Sequence, residues 1–110
     1  MRPAEGVLTD KEIKKMLQRL KKNGSQFSMR KLSNGEEKVY EANISLFDAL
    51  KFTDSDKNAK FDLKRFIAAH CIILAIEGVP AFYFNSLFAT KNDQKAYDLS
   101  LIHISEPTRR

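Results

Sequence analysis

The chain is poor in the residues that staple, kink or anchor a protein. It has one cysteine, three prolines, four glycines and no tryptophan in 110 residues. A lone cysteine, Cys71, excludes an internal disulfide framework and fits a reducing compartment, so a cytoplasmic location is expected. No signal-peptide pattern opens the sequence. Long apolar runs are also missing. The longest, Ile67 to Ile76, contains His70 and covers about half of the ~20 residues a membrane helix needs. Glu77, Gly78 and Pro80 then interrupt it, which argues against a membrane span. Metal-ligand spacing is absent as well: no second His, Cys or carboxylate is placed to share an ion with His70.

What is present is a basic chain, with net charge +5 and enough length for one small domain. Its two ends are anomalous. Residues 99–109 read Leu-Ser-Leu-Ile-His-Ile-Ser-Glu-Pro-Thr-Arg and resemble the translation of a sequencing-library adapter. The expectation is that 99–110 is a non-native tail, that His103 carries no meaning, and that Met1 is an internal methionine of a longer protein.

Thr9-Asp10-Lys11-Glu12 is a capping box, in which hydroxyl and carboxylate each satisfy a backbone N–H of the first helical turn. Ile13, Met16, Leu17 and Leu20 follow with the spacing of one apolar helix face, and Asn23-Gly24 is suited to stop it. A helix over 9–23 is therefore expected. A hairpin over 26–42 follows, with Asn34-Gly35 predicting a tight turn that has positive φ at both central positions. Thr53 to Lys60 is polar. Asp54-x-Asp56-x-Asn58 resembles the opening of a calcium loop, but Ala59 and Arg65 stand where the turn glycine and the bidentate glutamate are needed. A solvated loop, with Asp56 or Asn58 capping the next helix, is the simpler reading.

That helix is expected over about 58–77, with an apolar stripe through Phe61 and Phe66 and a second half apolar on nearly all sides. Such a helix is buried in a large protein. Val79 to Phe84 is a continuous apolar run without alternation, the signature of a parallel strand covered on both faces. Buried helix, glycine, short apolar strand is one step of a wound α/β fold. The expectation is a strand over 79–85. No other segment reads as its parallel partner.

Several motifs resemble the sucrose phosphorylase group of the α-amylase superfamily. They are Arg2 to Gly6, Tyr40 to Leu50, Phe66 to His70, Gly78 to Leu87 and Lys91-Asn92-Asp93. They fall in the order and spacing of that group over residues 2–93. The resemblance implies an α/β fold, a fragment of a (β/α)8 TIM barrel. Residues 1–46 would be a lid subdomain of helix and hairpin, and 47–98 a barrel segment ending in the last strand and the loop beyond it.

Members of the group are retaining glucosyl transferases. An aspartate nucleophile and a glutamate acid/base pass glucose to inorganic phosphate, giving α-glucose 1-phosphate. Those carboxylates, and a third that steadies the transition state, would lie before Met1. The resemblance thus implies an inactive fragment of an active parent, with no catalytic residue in this chain and no metal or organic cofactor. Its substrates would be a glucoside and inorganic phosphate. Tyr40, Glu41 and Asn43 match lid-loop positions near the acceptor, and Asn85 would sit at the end of the last strand. Some sucrose-using members carry Gln at the position of Glu41. A carboxylate there repels phosphate and changes hydrogen bonding to the leaving group. The expectation is a sucrose-like glucoside, with glucosylglycerate or sucrose 6-phosphate standing level with plain sucrose. Arg2 would be either a partner for an anionic acceptor or simply a surface arginine.

The simpler assignments are structural. His70 is expected as a satisfied buried histidine, Cys71 as a small core residue, and Phe82-Tyr83-Phe84 as core strand. A rival function is a nucleic-acid-binding or small interaction module. Residues 11–38 carry nine Lys/Arg against three Glu. No helix-turn-helix, zinc or RNA-binding signature accompanies them, so neither nucleic acid nor membrane is an expected partner.

Overall fold

The computed structural model describes residues 4–96, 98 and 99. Arg2, His103 and the tail from 100 onward lie outside the described residues. The element order is α1 (Asp10–Lys22), β1 (Gln26–Lys31), β2 (Glu37–Asn43), α2 (Leu46–Lys51), α3 (Asp62–Ala75) and α4 (Phe84–Leu87). Described in this way, the chain is a small α/β unit with helices around a two-stranded antiparallel sheet.

α1 begins at the capping box. Thr9 N–H donates to the Glu12 carboxylate at 2.8 Å, and Glu12 N–H donates to Thr9 Oγ1 at 3.3 Å. Those contacts, the backbone donor first, hold the Glu12 carboxyl below its ordinary pKa. Ile13 is buried while Met16, Leu17 and Leu20 are half-buried, and Lys11, Lys14, Lys15, Lys21 and Lys22 face water. The helix ends in a Schellman motif: Ser25 N–H donates to Leu20 O at 2.9 Å and Gly24 N–H to Lys21 O at 3.1 Å. Gly24 takes φ +97, which a Cβ would disfavour.

The hairpin turn differs from the expectation. Leu32 N–H donates to Glu36 O and Gly35 N–H to Leu32 O, so three residues, Ser33, Asn34 and Gly35, form the loop. Only Gly35 has positive φ. Asn34 stays in ordinary backbone space because its Oδ1 accepts Glu36 N–H at 3.0 Å, a local bond that a two-residue turn would not supply. Lys38 then pairs with Glu5 at 3.0 Å, tying the ribbon to the segment before α1 and lowering the Glu5 pKa.

α2 packs on α3 through Phe47 and Phe66, whose rings meet edge-on at 5.7 Å. Ser45 caps α2 by accepting Asp48 N–H. Its last carbonyls are taken by side chains from elsewhere. Arg65 Nε donates to Leu50 O at 2.7 Å and a terminal nitrogen to Lys51 O at 2.6 Å. Asn23 Nδ2 reaches Ala49 O and Phe52 O, fastening the end of α1 to the end of α2.

The sequence placed the cap of α3 at Asp56 or Asn58; the residue in that position is Phe61, with no side-chain cap bond. Asp56 acts from outside the helix instead. Its two carboxylate oxygens accept Lys60 N–H and Phe61 N–H, both at 2.9 Å, and Arg65 pairs with it at 2.9 Å. Between them the chain makes a tight turn at Ala59, whose φ is +56.

Two expectations for 66–85 fail in this structure. Residues 79–83 form no strand, and Phe84 opens the short α4. A parallel strand needs a neighbouring ladder for its N–H and C=O groups, and none lies beside this run among the described residues. The second half of α3 is also uncovered. One stripe, Phe66, Ala69, His70 and Ile73, turns inward, while Cys71 and Leu74 are exposed and Ile72 is 62% exposed. Cys71 is therefore not a core residue here. Ile13 and Phe66 are the two buried apolar side chains among the described residues. Burying one such side chain is worth about 1.5–3 kcal/mol.

Candidate functional site

Of the four residues singled out from the sequence, three lie on one strand. Tyr40, Glu41 and Asn43 occupy the second half of β2. The ladder is irregular there: Ser28 stands opposite Glu41 and Met29 opposite Val39, leaving Tyr40 as an extra residue. The aromatic side chain and the Glu41 carboxylate are both exposed. Asn43 is half-buried and donates from Nδ2 to Ser28 Oγ at 2.9 Å.

Asn43 also lines a cleft of about 380 Å³ with Gln26, Ala42, Ile44 and residues 92–94. This cleft joins the open end of the hairpin to a segment some fifty residues later in the chain. Asp48 and Asn92 make that junction. The Asp48 carboxylate accepts Asn92 N–H at 2.6 Å, and Asn92 Oδ1 accepts the N–H of Ser45. Asn92 Nδ2 reaches the carbonyl of Gly24, and Gln26 Nε2 donates to Gln94 Oε1 at 3.3 Å. The cleft wall thus presents amide groups and the Asp93 carboxylate, groups suited to hydroxyls. In the sequence, Asn92 and Asp93 belong to a motif with no role of their own, and nothing local marks Gln26 or Gln94.

Asn85 stands apart. It lies in α4, not at a strand end, and its Nδ2 donates to the Tyr83 hydroxyl at 3.2 Å. It does not line the cleft.

The loop that resembles a calcium site is used otherwise. Asp54 binds Arg19 of α1, which depresses its pKa, and Lys15 lies 4.0 Å away. Asp56 is held below the usual carboxylate range mainly by Phe61 N–H, then by Lys60 N–H and Arg65. No cluster of three metal-ligating side chains occurs among the described residues. His70 meets its expectation only in part. Nδ1 lies 2.9 Å from Phe66 O and the ring sits between Phe66 and Phe82, but buried Nε2 has no hydrogen-bond partner among the described residues. Among the described residues, no helix is long and apolar enough to cross a membrane.

The hairpin thus carries an aromatic, a carboxylate and an amide on one strand, and the amide, Asn43, reaches the cleft. Over most of its length the chain is similar to glucosylglycerate phosphorylases. It is 32% identical over 98 residues to the glucosylglycerate phosphorylase of Allomeiothermus silvanus, covering 89% of this chain and 18% of that protein. It is 32% identical over 93 residues to the glucosylglycerate phosphorylase of Escherichia coli K12, covering 84% and 16%. With that of Spirochaeta thermophila the identity is 30% over 90 residues, covering 82% and 15%. The chain spans less than a fifth of the length of these relatives. No family model and no solved structure matches it.

Proposed function

We propose that this chain is part of a retaining glucoside phosphorylase that moves glucose from glucosylglycerate, or a closely related glucoside, to inorganic phosphate. The observation that carries the reading is the similarity to three glucosylglycerate phosphorylases over more than four-fifths of the chain. The parent works in the cytoplasm, and its catalytic carboxylates lie outside this segment, which is inactive alone. Residues 1–46 act as its lid and 47–98 as barrel wall. The exposed apolar side of α3 and the 79–88 run supports that assignment. Val79 is 97% exposed and Phe88 65%, and both would be covered by neighbouring barrel elements.

In this reading Tyr40 packs against the acceptor, while Glu41 and Asn43 hydrogen-bond its hydroxyls. Asn85 is a further contact in the complete protein. The test is Glu41→Gln in the complete protein. The ratio of kcat/KM between glycerate-type and fructose-type acceptors should shift at least about tenfold, the lower end of the worth of one hydrogen bond to a charged group. Formation of the glucosyl-enzyme should stay within about twofold of wild type. An unchanged acceptor ratio would refute the role given to Glu41.

A further inference from the structure

The bulge in the hairpin is forced from both ends. At the turn, the three-residue loop sets Lys31 opposite Glu37. Toward the open end, Ser28 stands opposite Glu41. Three steps separate 28 from 31 on β1, but four separate 37 from 41 on β2. One residue of β2 must therefore be left without a partner, and it is Tyr40.

Successive side chains of a regular strand face opposite sides of the ribbon. Across the bulge, Val39 and Glu41 are two residues apart but stand opposite neighbouring residues of β1, Met29 and Ser28. They therefore lie on opposite faces, where simple alternation would put them on one. Tyr40 and Glu41 are both exposed, and Ala42 and Asn43 are both half-buried.

What holds the open end in this register is a side-chain bond. Asn43 Nδ2 donates to Ser28 Oγ at 2.9 Å, across the diagonal from the Ser28–Glu41 pair. A one-residue slip of 41–43 would absorb the bulge, but it would turn Asn43 to the other side of the ribbon and break this bond. We infer that Ser28 is a positioning residue: by holding Asn43 it keeps the extra residue at Tyr40, and so fixes the face on which Glu41 stands beside it. The importance of that pair rests on the function proposed above; the register does not.

Ser28→Thr and Ser28→Val test this on the whole chain. The two side chains have nearly the same shape and both suit a strand, so they differ chiefly in the hydroxyl. In wild type and S28T, nuclear Overhauser contacts should join position 28 to Glu41 and Met29 to Val39. In S28V a contact from position 28 to Tyr40 should appear, and amide exchange across 41–43 should rise about fivefold relative to S28T. An S28V chain with the S28T contacts and exchange rates would overturn the inference. So would a wild-type chain in which Ser28 contacts Tyr40. No ligand enters this experiment, so it judges Ser28 alone, while the acceptor assay on Glu41 judges the function.

Discussion

The carboxylate of Asp48 accepts the backbone N–H of Asn92 at 2.6 Å, across forty-four residues of sequence. Asp48 also accepts the Ser45 hydroxyl at 3.3 Å, and Asn92 returns a bond to Ser45 N–H. The start of α2 and the segment 92–94 are therefore one polar unit, and the cleft beside Asn43 depends on it.

Asp48→Ala should accordingly separate that segment from the hairpin. Hydrogen bonds to charged groups are worth about 1.5–3 kcal/mol, and α2 loses a first-turn acid as well. The expected result is a loss of about that size in urea unfolding of the chain. Faster amide exchange should follow at Asn92 and Ser45, with α1 largely unaffected.

Asp56 should give the chain an acid-sensitive joint. Its carboxyl is held below the ordinary value of 3.8 by the N–H groups of Phe61 and Lys60 and by Arg65. A depressed carboxylate contributes its full stabilisation above the unfolded-state value and loses it as pH falls through the folded-state value. Unfolding followed by circular dichroism should show stability declining below about pH 4. Asp56→Asn should be less stable than wild type at neutral pH and show a shallower acid decline.

Ala59 sits at φ +56, in left-handed backbone space that costs a residue with a Cβ about 1–2 kcal/mol. Ala59→Gly relieves that cost but loosens the unfolded chain by about 0.4–1 kcal/mol. The net expectation is a gain of roughly 0.5–1 kcal/mol in thermal or urea unfolding.

Local chemistry was legible in the sequence and distant chemistry was not. Thr9 and Glu12 are three residues apart, so their box needs no tertiary knowledge, and the same holds for the Gly24 stop and the existence of the hairpin. The candidate residues Tyr40, Glu41 and Asn43 came from family motifs, and the bulge that sets Tyr40 apart follows from pairing counts no single strand displays. Asp56 has the chemistry of a good cap, and the partner that redirects it, Arg65, lies nine residues on. Asn92 was unreadable as a partner of Asp48 because nothing local links them. The expected strand over 79–85 was a pattern of burial, and burial requires neighbours that the described residues do not include.

The most direct test is to incubate the complete protein carrying this segment with glucosylglycerate and inorganic phosphate, and to follow the sugar released. The account predicts phosphate-dependent formation of α-glucose 1-phosphate and free glycerate. Release of free glucose at a rate indifferent to phosphate, or no turnover of any glucoside, would contradict it.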